Sequence, residues 1–574
     1  MNTRPFKNLY FVEWLLILLL MGSLYYHTNL GGTGLRIPNN IVVWFFASLI
    51  GFYSLYRFSK QVHYYLPRYF PLIFAFPTLA LLSGILAGIE IPEQWLFRLL
   101  YLWGGLLFLF GLYQHPLKQA RLDRLLFIIV VTGLIHSIIG MMQIFLVQDM
   151  PRWLPINISG SPTGLFQQIN NQASFQISCV ILSFWLFTRP FIRHGRIWLF
   201  CLLLVAVFTS IFIVSYSGSR VGALSFMLAT PLLFTGRWQF IKADKKQWLL
   251  IALTILIAIT SANMVDRQRG LTNVVDKTTA INSGYSGSTR LGIYSIAIDL
   301  IKEEPFWGHG IGSFVRVWQL EKPGFFAKHP EASLPHQRVS HPHNEVIFWL
   351  VEGGAVAGLG LLLVVIAVML SLWRLPHSRR YAYAAMLVPI SLHTQVELPF
   401  YISSTHWFIF LILLYVSLHP TRKKLDNTSG KFTPTALRIL VLVGSLASAL
   451  FFTHTMAANL EFRNYFLGKS TEDPFPISMQ NPYFNLMATH TLMTTLFHSS
   501  MKYGVTNNVQ IFADWGEQEL KQNPHILFYK LTADALLYLK DYKRACGIAY
   551  TGNAVYPTDE GLKKIASICQ QKSD

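Results

Sequence analysis

The sequence predicts an all-α polytopic integral membrane protein with about 13 transmembrane helices, a large loop on its outer face and a C-terminal helical domain on the same face. Three observations predict it. Of 574 residues, 52% are hydrophobic and 13% charged, and the mean hydropathy is +0.40, too apolar for a soluble multidomain chain. Apolar runs of roughly 17 to 23 residues, each able to cross a hydrocarbon core of about 30 Å, recur from Leu9 to Met456. The connections between them alternate between strongly basic ones and ones with little positive charge.

The runs fall at 10–28, 41–58, 70–88, 95–113, 125–147, 173–188, 197–215, 220–236, 248–264, 343–370, 381–396, 405–418 and 436–457. Their recurrence argues against reading the first as a cleaved leader. MNTRPFK, RFSKQVHYYLPR, KQARLDR, RPFIRHGR, RWQFIKADKK, RLPHSRR and TRKKLDNTSGK are the basic connections, whereas NLGGTGLRIPNN, IEIPEQW and ELPFYISS carry little positive charge. A net charge of +19 raises nucleic acid as a partner, but here the charge sits in short loops and reports topology, so no nucleic acid is expected. The positive-inside rule places the N-terminus in the cytoplasm. An odd number of spans then leaves the C-terminus outside, which at a bacterial inner membrane is the periplasm.

Residues 1–147 form the N-terminal transmembrane helices, 148–457 a transmembrane core containing the outer loop 265–342, and 458–574 an outer helical domain. The tail changes regime, with ordinary charge density and helical patterning in NPHILFYKLTADALLYLKDYKRACGIAYTGNAVYP. That segment reads either as one tetratricopeptide-like unit, its helices joined near KDY and closed by Pro557, or as part of a small helical bundle. Cys179 and Cys201 lie in spans as apolar filler. Cys546 and Cys569 lie in the tail, where an oxidising compartment permits either a bridge or two thiols.

Ionisable groups at a membrane edge are costly and mark function by default. On the outer side they are few. Arg220 stands in YSGSRVGALSF, between one outward crossing and the next, and Arg290 heads an amphipathic stretch in which Ile293, Ala297 and Leu300 recur at helical spacing. Alone, each arginine reads as a snorkelling interfacial anchor. As a pair in GSR and GSTR settings beside His343, they read as planar forks suited to the phosphate oxygens of a membrane-embedded diphosphate. GHGIG at 308–312 reads as a turn after Pro305, with no strand before it to make a nucleotide loop.

The stretch RVSHPHNEVIFWLVEGG runs from two histidines straight into a span. Pro342 suits the first position of a helix, with His341 or Ser340 as its cap and Glu345 in the first turn. His343 then lies at the positive end of the helix dipole, which favours the neutral, proton-accepting ring. Asn344 is placed to orient that ring or the acceptor. The alternative is that both histidines only cap or anchor the helix. His309, His329 and His336 share the loop, but no HExxH spacing occurs and HPH does not converge on one helical face, so neither metal nor cofactor is expected. Two further outer segments carry polar groups: the amides of GLFQQINNQAS, including Gln168 and Asn170, which donate and accept together, and HTQVELPFYISSTHW, where Glu397 and Tyr401 bracket Pro399.

From about residue 160 to 415 the chain resembles the O-antigen ligase and protein O-oligosaccharyltransferase superfamily, with its Wzy_C-type region. The residues that carry the resemblance are SGSRVGAL, TRLGIYSIAIDLIKEEPFWGHGIGSF and HPHNEVIFWLVEGGAVAGLGLLL, the last similar to the family's H-x-H-N segment. Within it, GLFQQINNQAS resembles the G-x-x-G-Q-x-N-H-x-A-S segment of bacterial protein O-oligosaccharyltransferases of the PglL type, with Gln168 and Asn170 at matching positions. VELPFYI resembles their E-Y-P-L turn, and a C-terminal outer domain is usual in that group. Gln167 stands for the expected glycine, Asn171 for the histidine and Leu398 for the tyrosine.

The resemblance implies transfer of a glycan from an undecaprenyl-diphosphate carrier to a serine or threonine hydroxyl of an exported protein such as a pilin, at the membrane's outer face. It implies His343 as general base, Arg220 and Arg290 on the diphosphate, and Gln168, Asn170, His341, Asn344, Glu397 and Tyr401 as substrate-binding residues. The chemistry agrees. General-base help to a hydroxyl contributes about 10² to 10⁴ in rate, and two arginines can neutralise a leaving diphosphate without a metal. The alternatives are an O-antigen ligase acting on lipid A core, a repeat-unit polymerase, and a transporter of lipid-linked glycans with no chemistry; the broken midplane spans of a transporter are not evident.

Overall fold

The computed structural model describes residues 9–147, 149–151, 153–193, 195, 197–265, 287–330, 338–427 and 432–573. The basic segment MNTRPFK and His336 lie outside these residues. Every predicted span contains a helix, the first only over its N-terminal part: α1 (Phe11–Gly22), α2 (Pro38–Phe58), α3 (Phe70–Leu86), α4 (Pro92–Tyr113), α5 (Gln119–Phe145), α6 (Ile169–Phe187) and α7 (Ile197–Ser217). The series continues with α8 (Arg220–Ala243), α9 (Lys245–Val265), then α10 (Gly287–Glu303) and α11 (Phe314–Lys328) within the long loop. After these come α12 (Glu345–Trp373), α13 (His377–His393), α14 (Ser404–Leu418) and α15 (Phe432–Phe466). The tail folds as α16 (Asn485–Tyr503), α17 (Thr506–Gln522), α18 (Ile526–Tyr538), α19 (Tyr542–Val555) and α20 (Glu560–Ser573). The protein is thus an all-α polytopic membrane protein.

By length and composition, seven helices among the described residues can cross a membrane: α2, α4, α5, α7, α9, α12 and most of α15, with α1 and α3 as shorter apolar helices. α6 is more polar for a physical reason. Every residue from Asn171 to Phe187 is buried by protein, and a helix covered by neighbours need not present apolar side chains to lipid. α5, α7, α8 and α13 pack around it.

The chain divides into two compact units. Unit 1 comprises residues 1–77, 101–279 and 362–474, and unit 2 comprises 78–100, 280–361 and 475–574, so three of the five boundaries fall inside α3, α4 and α12. In unit 1 the loops sort into two ends, as their charge predicts. At the basic end, β1 (His63–Leu66) pairs antiparallel with β2 (Lys423–Asp426) in the register His63 to Asp426. Gln61 bonds the Gln114 carbonyl, Arg374 bonds Tyr69, Arg121 pairs with Glu13, Arg189 with Asp123 and Arg193 with Asp244. The loops with little charge meet at the other end, through Gln167 to Asn29, His27 to Asn459 and Asn40 to Ile402.

In unit 2 the long loop is less irregular than the sequence predicts. Besides α10, whose Ile293, Ala297 and Leu300 are buried as their spacing requires, it folds a second helix, α11. Trp318 of α11 donates its indole N–H to the Ile293 carbonyl at 3.2 Å, and α11 also packs on α19. The tail helices pack in sequence, each on the next. α18 and α19 turn at Lys540, with φ 63, and Asp541 caps α19 by accepting the Arg544 N–H at 3.2 Å. Arg544 reaches back from α19 to grip Glu517 of α17 with two bonds, at 2.9 and 2.8 Å. Cys546 and Cys569 are bridged, joining α19 to α20.

Candidate active site

Unit 1 carries Gln168, Asn170, Arg220, Glu397 and Tyr401, and unit 2 carries Arg290, His341, His343 and Asn344.

In SGSRVG each residue has a local reason. Gly218 turns the chain at φ 60, a left-handed conformation that glycine adopts without a Cβ clash. Ser219 caps α8, accepting the Gly222 N–H at 3.3 Å and donating its hydroxyl to Asn170 Oδ1 at 3.0 Å. Gly222 permits close helix packing, since a Cβ there would lie 2.8 Å from Val214 Cγ1. Arg220 is therefore the first residue of α8 and half-buried, at the end of the helix where backbone N–H groups have no partner within the helix ladder. A cation at this end of a helix opposes the dipole, and an anion bound there satisfies both. Arg290 repeats the arrangement in the first turn of α10.

The amide segment explains one departure from the family pattern. Gln167, where a glycine is expected, holds φ 60, the backbone conformation glycine favours, at a cost of about 1 kcal/mol for another residue. Its side chain donates to Asn29 Oδ1 at 2.8 Å. Gln168 occupies the cap position of α6 and accepts the Gln172 N–H on its carbonyl at 3.1 Å. Asn171 replaces the expected histidine, yet an imidazole stands beside it: His406 Nε2 lies 3.0 Å from the Asn171 carbonyl, and Ser174 Oγ lies 2.8 Å from His393 Nδ1.

Glu397 follows α13 directly, its N–H donating to the His393 carbonyl at 3.0 Å. Pro399 starts the single turn Pro399–Ile402. Asn40 pins that turn, donating to the Ile402 carbonyl and accepting the Ser404 N–H, both at 2.8 Å. The Tyr401 ring stacks on Tyr101 at 6.1 Å and 8°.

In unit 2 the helix expected to begin at Pro342 begins at Glu345. Asn344 is its cap, accepting the Ile347 N–H on Oδ1 at 3.0 Å and the Phe348 N–H on its carbonyl at 3.0 Å. Neither His341 nor Ser340 caps it: Asn344 caps as well as a serine and better than a histidine, and it stands immediately before the apolar run. His343 accordingly lies before the helix, not in its first turn, and holds φ 54. Its N–H donates to His341 Nδ1 at 3.2 Å, with the two rings 4.4 Å apart. In a neutral His341 this fixes the remaining proton on Nε2. A side-chain-bearing residue in this backbone region costs of order 1 to 3 kcal/mol, and such strain clusters at active sites. Arg338, just upstream, donates to Asn523 Oδ1 at 2.9 Å in the turn between α17 and α18.

Sequence reasoning passed over Arg98 and Glu352. Glu352 is 1% exposed, and Arg98 pairs with its carboxylate. The signal was available: one cation and one anion, each inside a predicted span, are stable at membrane depth only as partners.

The family model described as O-Antigen ligase matches residues 205–362, which include Arg220, Arg290, His341, His343 and Asn344. A second, described as Virulence factor membrane-bound polymerase, C-terminal, matches residues 381–567, which take in Glu397, Tyr401 and most of the tail. The second match extends the likeness well past residue 415, where the sequence motifs end. No curated protein matches the chain. The two matches follow one another across the arginine motifs, the histidine segment and the tail, and together they support the O-antigen ligase superfamily of membrane glycan-transferring ligases and polymerases.

Proposed function

We propose that this protein is an O-oligosaccharyltransferase of the bacterial inner membrane. It moves a glycan en bloc from undecaprenyl diphosphate to a serine or threonine hydroxyl of an exported protein, such as a pilin, at the periplasmic face. The observation that carries this reading is the strained His341-Pro342-His343 turn, in which a left-handed His343 is held directly ahead of the Asn344 cap. His343 takes the hydroxyl proton as the oxygen attacks the anomeric carbon. The bond from that carbon to the diphosphate breaks, and the electron pair leaves with the lipid diphosphate, whose charge Arg220 and Arg290 neutralise. The displacement inverts the anomeric centre and needs no metal. Gln168, Asn170, Glu397 and Tyr401 bind substrate. The Cys546–Cys569 bridge supports a periplasmic tail, since such bridges persist in oxidising compartments.

Mass spectrometry of exported proteins, with and without the gene, tests the reading. Glycopeptides on serine or threonine should vanish on deletion and stay absent with His343→Ala, while lipopolysaccharide is unchanged. The reverse pattern sinks it. The second family match, to a membrane-bound polymerase, favours one further reading, polymerisation of lipid-linked repeat units. In that case deletion would shorten a surface polysaccharide and leave every exported protein as it was.

A further inference from the structure

In unit 2, the segment Pro305 to Phe314 that leaves α10 lies on a break in α12. Gly354 interrupts that helix with φ 59 and ψ −162. Backbone bonds fix the contact: His309 N–H to the Val351 carbonyl at 2.9 Å, Gly310 N–H to Glu352 at 3.0 Å, and Ala355 N–H to Pro305 at 2.8 Å. No side chain fits between them. A Cβ on Gly308 would lie 2.6 Å from Glu352 C and Gly354 N, and one on Gly354 would lie 2.3 Å from the Phe306 carbonyl oxygen.

The Glu352 carboxylate closes this junction. It accepts the Phe314 N–H at 3.2 Å, a bond from the Gly312 backbone, and the Arg98 guanidinium. Arg98 also lies over the Phe348 ring at 4.2 Å, and the Phe348 N–H is one of the two donors to the Asn344 cap. Contacts therefore run from Arg98 and Glu352 to the Asn344 cap that directly follows His343, and along the loop to the helix headed by Arg290. Glu352 stands seven residues into α12, about 10 Å along a span at 1.5 Å per residue. An ion pair there is weak support for stability and is better suited to fixing one arrangement among several.

We propose that Arg98 and Glu352 are a positioning pair that sets α12, which His343 directly precedes, against α10, which bears Arg290. The pair holds the general base in register with one arm of the diphosphate clamp. This rests on the roles proposed above for His343 and Arg290. Two measurements on the full chain in nanodiscs separate the ideas. Spin labels at Leu291 and Val346, both exposed, in a background with Cys201→Ser, read the helix-to-helix distance by pulsed dipolar spectroscopy without reference to activity. Turnover with undecaprenyl-diphosphate glycan and acceptor reads kcat and donor KM.

In Glu352→Gln and Arg98→Ala, the narrow distance distribution should broaden, and kcat should fall about a hundredfold, the size of loss expected from misplacing a reacting group by about 1 Å. Donor KM should stay within about threefold, and Arg98→Lys, which keeps the charge, should recover part of the rate. A distribution as narrow as wild type in both variants overturns the proposal, as does broadening with unchanged kcat. Loss of rate matched only by loss of folded protein also overturns it, since that is a structural role. Full activity in His343→Ala is a different failure, refuting the catalytic reading while the distance measurement still decides whether the pair fixes the helices.

Discussion

Replacing Lys322 with methionine should stabilise unit 2, and the size of the effect follows from where this lysine sits. Lys322 of α11 is fully buried, its ammonium 5.9 Å from the Trp318 ring centre and 5.1 Å from that of Tyr556. Burial disfavours the charged form and lowers its pKa from the ordinary 10.5 to about 8. Between those two values the unfolded chain holds a proton that the folded chain lacks, so stability rises with pH across that window. The full penalty is present below pH 8 and is nearly gone at pH 10.5. At about 1.4 kcal/mol per pH unit, the gap corresponds to about 3 kcal/mol. For a unit of about 200 residues this is a shift of roughly 6 to 12 °C in the unfolding midpoint. Thermal scans of the full chain in nanodiscs, followed by tryptophan fluorescence at pH 7 and pH 10, measure it. Wild type should unfold at a higher temperature at pH 10, and Lys322→Met should exceed wild type at pH 7 and converge on it at pH 10. A variant whose advantage is the same at both pH values, or a wild type indifferent to pH, refutes burial of the ammonium as the cause.

Breaking the Cys546–Cys569 bridge opens a loop with a sequence separation of 23; chain entropy puts the loss at about 3 kcal/mol, so a Cys546→Ser, Cys569→Ser protein should lose its tail fold at lower urea, and addition of reductant should bring wild type to the same midpoint. Gln167→Gly should relieve about 1 kcal/mol of backbone strain but forfeit the bond to Asn29, leaving stability within about 1 kcal/mol of wild type in denaturant titrations; Gln167→Val, which loses the bond and keeps the strain, should be clearly destabilised. Arg220→Lys and Arg290→Lys should each lower turnover at least tenfold, because a point charge cannot reproduce a planar fork on a diphosphate; normal turnover in both would remove the leaving-group role.

The residues themselves determined the class and much of the layout. Hydropathy located the helices because each span must satisfy its own backbone in lipid, and the placement of lysine and arginine sorted the loops of unit 1 into two ends. Local chemistry likewise foretold the α10 face of Ile293, Ala297 and Leu300, the turn at KDY and the glycine turn at 308–312. All of these depend on neighbours in sequence.

What the tertiary structure decided depends on residues far apart. Asn344, not His341, caps α12, and this moves His343 out of the first turn into a left-handed backbone that no pattern of residue types announces. Gln167 looked like a departure from a glycine motif; it holds φ 60, a conformation that glycine favours, and bonds Asn29, 138 residues away. Cys546 and Cys569 paired because two helices brought their Cα atoms to 5.6 Å, a distance sequence cannot supply. Arg98 and Glu352 are 254 residues apart. Each was legible as a charge inside an apolar run, but only packing could make them partners, since a buried charge is stabilised by whichever opposite charge the fold delivers to it.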